Sequence, residues 1–183
     1  MADAQIDGIV AYWFDESVKP HWFAKSDHFD GEVRQRLLEP HERAAAGALD
    51  HWMDEADGCL ALCILLDQVP RNVFRGTPRA FATDTKALAV ARHAVDQRFD
   101  LECDADGRMF LYLPFEHAED LDSQRRSVQL FRERVGTAEG IDYAERHLAI
   151  IERFGRFPHR NLILGRESTP EEIEFLKQPG SSF

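Results

Sequence analysis

The chain has 183 residues, 44% hydrophobic and 30% charged, the size and make-up of one globular domain able to bury its own core. A formal net charge of −11 argues against nucleic acid, whose binders need cations to replace released counterions, and against an anionic membrane surface. No apolar run approaches the roughly 18 residues of a membrane span, and the acidic start Met-Ala-Asp-Ala-Gln-Ile-Asp lacks the apolar stretch of a secretion signal, so a cytoplasmic protein is expected. Only four of the 22 basic residues are Lys; the rest are Arg, which genome composition or a need for planar contacts to carboxylate or phosphate would explain. Cys59, Cys63 and Cys103 give no disulfide framework, and Cys59 and Cys63 read as small core residues on one helix face.

Helical patterns dominate, in one domain over 1–183. Residues 4–14 carry Ile6, Ile9, Val10, Trp13 and Phe14 at amphipathic spacing, ended by Asp15 to Pro20. Trp22 and Phe23 follow as core plugs or an aromatic pocket wall. Asp27 can cap a helix over 28–38, and Pro40 can open another over 40–50. Residues 59–66 are continuously apolar, and Leu, Ala and Cys with a single β-branched Ile64 favour a central buried helix over a strand. Pro70 should stop it. Residues 83–97 place Ala87, Leu88, Ala91 and Val95 on one side of a helix. Residues 99–113 read either as a hairpin around Asp106-Gly107 or as a loop and a short helix ending at Pro114. A calcium loop is rejected there, because Leu113 stands where a bidentate Glu belongs. A helix over 117–135 would set His117, Leu121, Gln124, Val128, Phe131 and Val135 on one stripe. The next, over 138–155, has two stripes, one through Ile141, Ala144, Leu148 and Ile151 and one through Tyr143, His147, Ile150 and Phe154. A last helix over 170–177 takes Ser168 or Thr169 as its cap. Short connections predict antiparallel helical hairpins.

Four features could carry chemistry. Pro70-Arg71-Asn72-Val73-Phe74-Arg75-Gly76 resembles Pro158-His159-Arg160-Asn161-Leu162-Ile163-Leu164-Gly165, each following an apolar helix. As plain turns, Pro stops a helix, Asn bonds local backbone and Gly turns left-handed. As a site, Arg71 and Arg160 converge on one cleft and bind an acidic group. Asp67-Gln68 should end the buried helix, where a carboxylate opposes the helix dipole and needs a cation such as Arg71 or Arg160. His117 and Gln124 lie on an otherwise apolar stripe beside Glu116 and Glu119, so they need buried partners, with His147 a candidate. Arg156, His159, Arg160 and Asn161, with aromatics and Gly155, could hold an anion. No spacing matches a zinc His-Glu-x-x-His or a carboxylate-bridged Glu-x-x-His pattern, so neither metal nor cofactor is expected. There is no nucleophile elbow, P-loop or dinucleotide fingerprint.

Leu66-Asp-Gln-Val-Pro-Arg-Asn-Val-Phe-Arg-Gly-Thr, Ala80-Phe-Ala-Thr-Asp84, Leu111-Tyr-Leu-Pro-Phe-Glu-His-Ala-Glu-Asp120, Phe154-Gly-Arg-Phe-Pro-His-Arg-Asn161 and Leu164-Gly-Arg-Glu-Ser-Thr-Pro-Glu-Glu172 together resemble a bacterial family, domain of unknown function 924. Tyr12-Trp-Phe14 and Trp22-Phe23 fit it too. The resemblance spans nearly the whole chain. It implies an all-α fold of antiparallel helical hairpins in a tetratricopeptide-repeat-like right-handed array, about 8–10 helices, and turns the reading of 99–113 toward helix. It implies no activity. Family members often carry Ser where this chain has Ala118.

The expected site residues are Asp67, Gln68, Arg71, Asn72, Glu116, His117, Glu119, Gln124, His147, Arg156, His159, Arg160, Asn161 and Arg166. The expected ligand is a small acidic molecule or the acidic end of a peptide. One alternative is an enzyme using His117 with Glu116 or Glu119 as acid and base. Another is a tetratricopeptide-like interaction module in which these motifs are scaffold. In a third, the same residues form a closed hydrogen-bonded network.

Overall fold

The apolar run at 59–66 lies at the centre of the molecule. The computed structural model describes residues 4–182, which contain eight helices and no strand. They are α1 (Ala4–Trp13), α2 (Asp27–Ala45), α3 (56–73), α4 (Asp84–Asp96), α5 (Ala105–Glu116), α6 (121–135), α7 (Ala138–Phe154) and α8 (Pro170–Leu176). All residues of α3 from 58 to 70 are buried. Helices α1, α2, α4 and α5 pack around it, α6 packs on α5, and α7 packs on α6. Cys59 and Cys63 are free thiols in this core.

Several boundaries differ from those expected. Pro40 opens no second helix but lies inside α2, buried with Leu37, His41 and Ala44 on one face, where packing offsets the hydrogen bond a helical proline forfeits. The 99–113 segment is a short 3-10 turn over Phe99–Leu101 followed by helix from Ala105, with Asp104 capping the N–H of Gly107, and α5 runs past Pro114 to Glu116. His117 therefore terminates α5 and does not start α6, which begins at Leu121 under an Asp120 cap. Trp22 is a core plug, its indole N–H donating to the carbonyl of Trp13, whereas Phe23 is 69% exposed. Thr169 caps α8 in a reciprocal capping box with Glu172.

The largest difference is at Pro70. The central helix continues past it because the backbone widens into a π turn over Ile64–Gln68, with the N–H of Val69 on the carbonyl of Ile64. Asp67 and Gln68 thus sit inside α3, and the dipole argument for a misplaced carboxylate does not apply. Pro70 has no N–H to offer the carbonyls four and five residues before it. Both are reached from outside the helix: His41 Nδ1 donates to the carbonyl of Leu65 at 2.7 Å, and the Thr83 hydroxyl donates to that of Leu66. The widened turn also holds Asp67 in the interior, 1% exposed.

Replacing Thr83 with Val keeps the side-chain shape and removes the donor to Leu66. It should cost about 1–2 kcal/mol, read as a lower urea midpoint at unchanged slope.

Candidate functional site

The residues singled out in the sequence meet where α3, α4, the end of α5 and the turn after α7 come together. Arg71, one turn beyond Asp67 on α3, donates to Asp84 at 2.8 and 3.0 Å and lies 3.2 Å from Asp67. Arg160 arrives from the Pro158–Arg160 turn and donates to the same Asp84 at 3.1 Å. The arginines of the two Arg-Asn motifs do converge on an acidic group, but that group belongs to the chain. Phe81 lies beneath both guanidiniums, at 5.6 Å from Arg71 and 4.5 Å from Arg160. Arg160 also donates to the carbonyl of His117 at 3.1 Å, which fixes the end of α5.

Asp67 faces His117 as well as Arg71. His117 Nδ1 lies 2.8 and 3.0 Å from the two carboxylate oxygens, and Gln68 donates to Asp67 at 2.6 Å. A carboxylate can only accept here, so Nδ1 carries the proton. No hydrogen-bond partner among the described residues reaches Nε2, and the side chain is 14% exposed. Next to it, Glu116 Oε1 lies 3.3 Å from His147 Nδ1, and the rings of His117 and His147 are 6.2 Å apart. Gln124 donates to the carbonyls of Glu116 and Ala118 at 2.6 and 2.8 Å, closing the turn between α5 and α6.

Burial alone would raise Asp67, but Arg71 and His117 outweigh it and hold the carboxylate ionised well below its usual range. Glu116 has no such cation. Burial, with the Asp67 charge nearby, pushes it up to about 8. Burial lowers His147 to about 3 and His159 to about 4, and it lowers His117 with help from Arg71. Burial and the neighbouring Arg71 bring Arg160 down to about 10. Burial thus favours the neutral forms of Glu116 and the imidazoles, while Asp67 and Asp84 are matched to two arginines.

The remaining expected residues form separate locks. Glu119 takes both Arg166 guanidinium arms at 2.7 and 2.9 Å and the N–H of Phe157 at 2.7 Å. Asn161 bridges Arg166, Ser168 and Glu172. Arg156 clamps Glu172 at 2.7 and 2.8 Å. Asn72 lies away from these groups, bonding Asp30 and not local backbone, with Arg75 on the same carboxylate. His159 stands beside the Phe157 ring. Each arginine expected to line an opening thus ends on an internal carboxylate. Two cavities, of about 260 and 370 Å³, border α6 and are lined by none of the expected site residues. Asp84, Phe81 and Glu172 complete the network without having been singled out. In the sequence all three stand only within the motifs that resemble the family.

An all-helical domain with a carboxylate-held histidine beside buried ion pairs is the class the coordinates define. Over residues 9–180 the sequence matches the family described as a bacterial protein of unknown function (DUF924), and the chain belongs to that family. The solved structure of the protein of unknown function ATU0120 from Agrobacterium tumefaciens is 43% identical, with a TM-score of 0.90 over 95% of this chain and 97% of that one. No curated protein matches.

Two outcomes follow from this geometry. Asp84→Ala leaves the poorly exposed Arg160 without a carboxylate and Arg71 with Asp67 alone, and should cost about 3–5 kcal/mol by chemical denaturation. Glu172 is held at about 2, first by hydrogen bonds from Arg156, against 4.5 when unpaired. Its contribution to stability is full above pH 4.5 and is lost as pH falls towards 2. An acid titration followed by circular dichroism should show that loss in the wild type and a shallower one in Glu172→Gln.

Proposed function

We propose that the protein binds a small polar ligand at the corner formed by Glu116, His117 and His147, beside Arg160. The observation that carries this reading is His117 itself. Its Nδ1 is fixed by a buried carboxylate, and its Nε2 has no hydrogen-bond partner among the described residues. Orienting an imidazole this way takes a buried charge, a costly device for packing alone. An acidic ligand fits in one narrow form: a single carboxylate or phosphate at Arg160, whose Nε is buried without a partner. Arg71, Arg156 and Arg166 are frame, since they already hold Asp84, Glu172 and Glu119. If the site performs chemistry, His117 with Glu116 is the acid–base pair, and Glu119 has no part in it because both its oxygens are engaged. A cytoplasmic, reducing compartment suits the three free cysteines.

A second reading, the interaction module in a tetratricopeptide-like array, is favoured by one observation. Leu162 is 92% exposed, whereas its counterpart in the first motif, Val73, is 5% exposed.

The test is a thermal-shift panel of small carboxylic acids, phosphates and polar metabolites, run in excess chelator on wild type and His117→Gln. A hit that raises the wild-type unfolding temperature by several degrees and disappears in a folded His117→Gln supports the site. A panel without hits, or hits that persist in the variant, contradicts it. A stoichiometric protein partner lost in Leu162→Ser and kept in Arg160→Ala would favour the second reading.

A further inference from the structure

We propose that Glu116, His117 and His147 form a binding site for one divalent transition-metal ion of the zinc class. The proposal rests on the reading of this corner as a ligand site and names its occupant. One ligand atom from each of the three residues lies within 4.8 Å of the others. A tetrahedral ion with arms of about 2.0–2.1 Å spaces its ligand atoms about 3.4 Å apart. Glu116 Oε1 stands 3.3 Å from His147 Nδ1, so these two side chains already meet at about that spacing. His147 Nδ1 also lies 2.8 Å from the carbonyl of Tyr143, so ligation either exchanges that hydrogen bond or turns the ring to offer Nε2.

The second observation is the pairing of the donors. Metal-bound histidines give their other nitrogen to a carboxylate or carbonyl, which sets the tautomer and raises ligand basicity. His117 does this with Asp67, leaving Nε2 as the metal-facing atom, and Asp67 is itself held by Arg71 and Gln68. Glu116 Oε2 is buried with no hydrogen-bond partner among the described residues, and no cation there matches its carboxylate. An ion would supply both. The fixed charges around the corner, Asp67 and Asp84 against Arg71 and Arg160, cancel, so nothing nearby repels a cation outright. Two histidines and one carboxylate leave a coordination position for a further ligand, as in open zinc sites. The three residues come from the end of α5 and the middle of α7, at no spacing a sequence pattern marks.

The experiment is metal loading of the full chain. Protein stripped with chelator is loaded with Zn²⁺ or Co²⁺, desalted, and assayed for bound metal. The expected result is close to one ion per chain, visible absorption bands with Co²⁺, and a raised unfolding temperature. Glu116→Gln preserves the size of the buried side chain while removing its carboxylate, and should bind more than about ten-fold more weakly with an unchanged circular dichroism spectrum. Asp67→Asn, where it folds, should weaken binding about ten- to hundred-fold with all three ligands still present. Wild-type protein that retains no ion and shows no temperature shift with Zn²⁺, Co²⁺ or Mn²⁺ overturns the proposal. So does Glu116→Gln binding as tightly as wild type, which assigns the metal to other histidines. Because the ligand panel is run in chelator, metal failure with His117-dependent hits retained removes only the ion. Failure of both removes the corner as a ligand site.

Discussion

Asp84 is the carboxylate on which the architecture turns. It stands at the first position of α4 and receives Arg71 from the central helix and Arg160 from the turn after α7. Two motifs far apart in sequence are tied to one side chain, and the turn after α7 is thereby joined to the central helix. The arrangement is charge-balanced only because Asp67 takes up the second guanidinium charge. Buried ion pairs seldom add net stability over a well-packed apolar core, yet they are costly to break. Their effect here is positional: Arg160 sets the carbonyl of His117, and Asp67 sets its ring.

That placement depends in turn on how α3 tolerates Pro70. A proline inside a helix usually ends or kinks it. Here a π turn absorbs the irregularity, and His41 from α2 and Thr83 from the turn before α4 satisfy the nearby carbonyls. The irregular segment is the one that carries Asp67 and Gln68. π turns are often found at functional sites, because the widened backbone re-aims a side chain without unravelling the helix. Pro70, Thr83, His41 and Asp67 thus belong to one structural unit, although the sequence presents them as unrelated.

Much of the fold was legible because it follows from periodicity. The buried run at 59–66 and the Thr169 cap of α8 appear as read, and α7 keeps its two stripes except at Tyr143, which is exposed. The self-match of the two Arg-Asn motifs also led to real neighbours. What failed were arguments that gave proline a fixed local meaning. Pro40, Pro70 and Pro114 all lie within helices whose packing overrides the local preference. The stripe that put His117 on α6 was displaced by the Asp120 cap, and His117 instead ends α5. The site was legible in its residues and not in its pairings. Nothing in one sequence ties Asp84 to Arg160, or Glu116 to His147, because such contacts depend on helix packing. The residue types suggested an arginine-lined opening; the pairings spend those arginines on internal carboxylates and leave Nε2 of His117 as the less committed group.

Everything proposed for this corner depends on His117 being held by Asp67 through Nδ1, with Nε2 left to face a ligand. The most direct measurement is the ring tautomer of His117 at neutral pH, read from the ¹⁵N shifts of the labelled imidazole in metal-free protein. A neutral ring with its proton on Nδ1 is the predicted result. A proton on Nε2, or a fully protonated imidazolium, would contradict the account, because the open nitrogen would then be a donor unable to bind a metal or accept a proton.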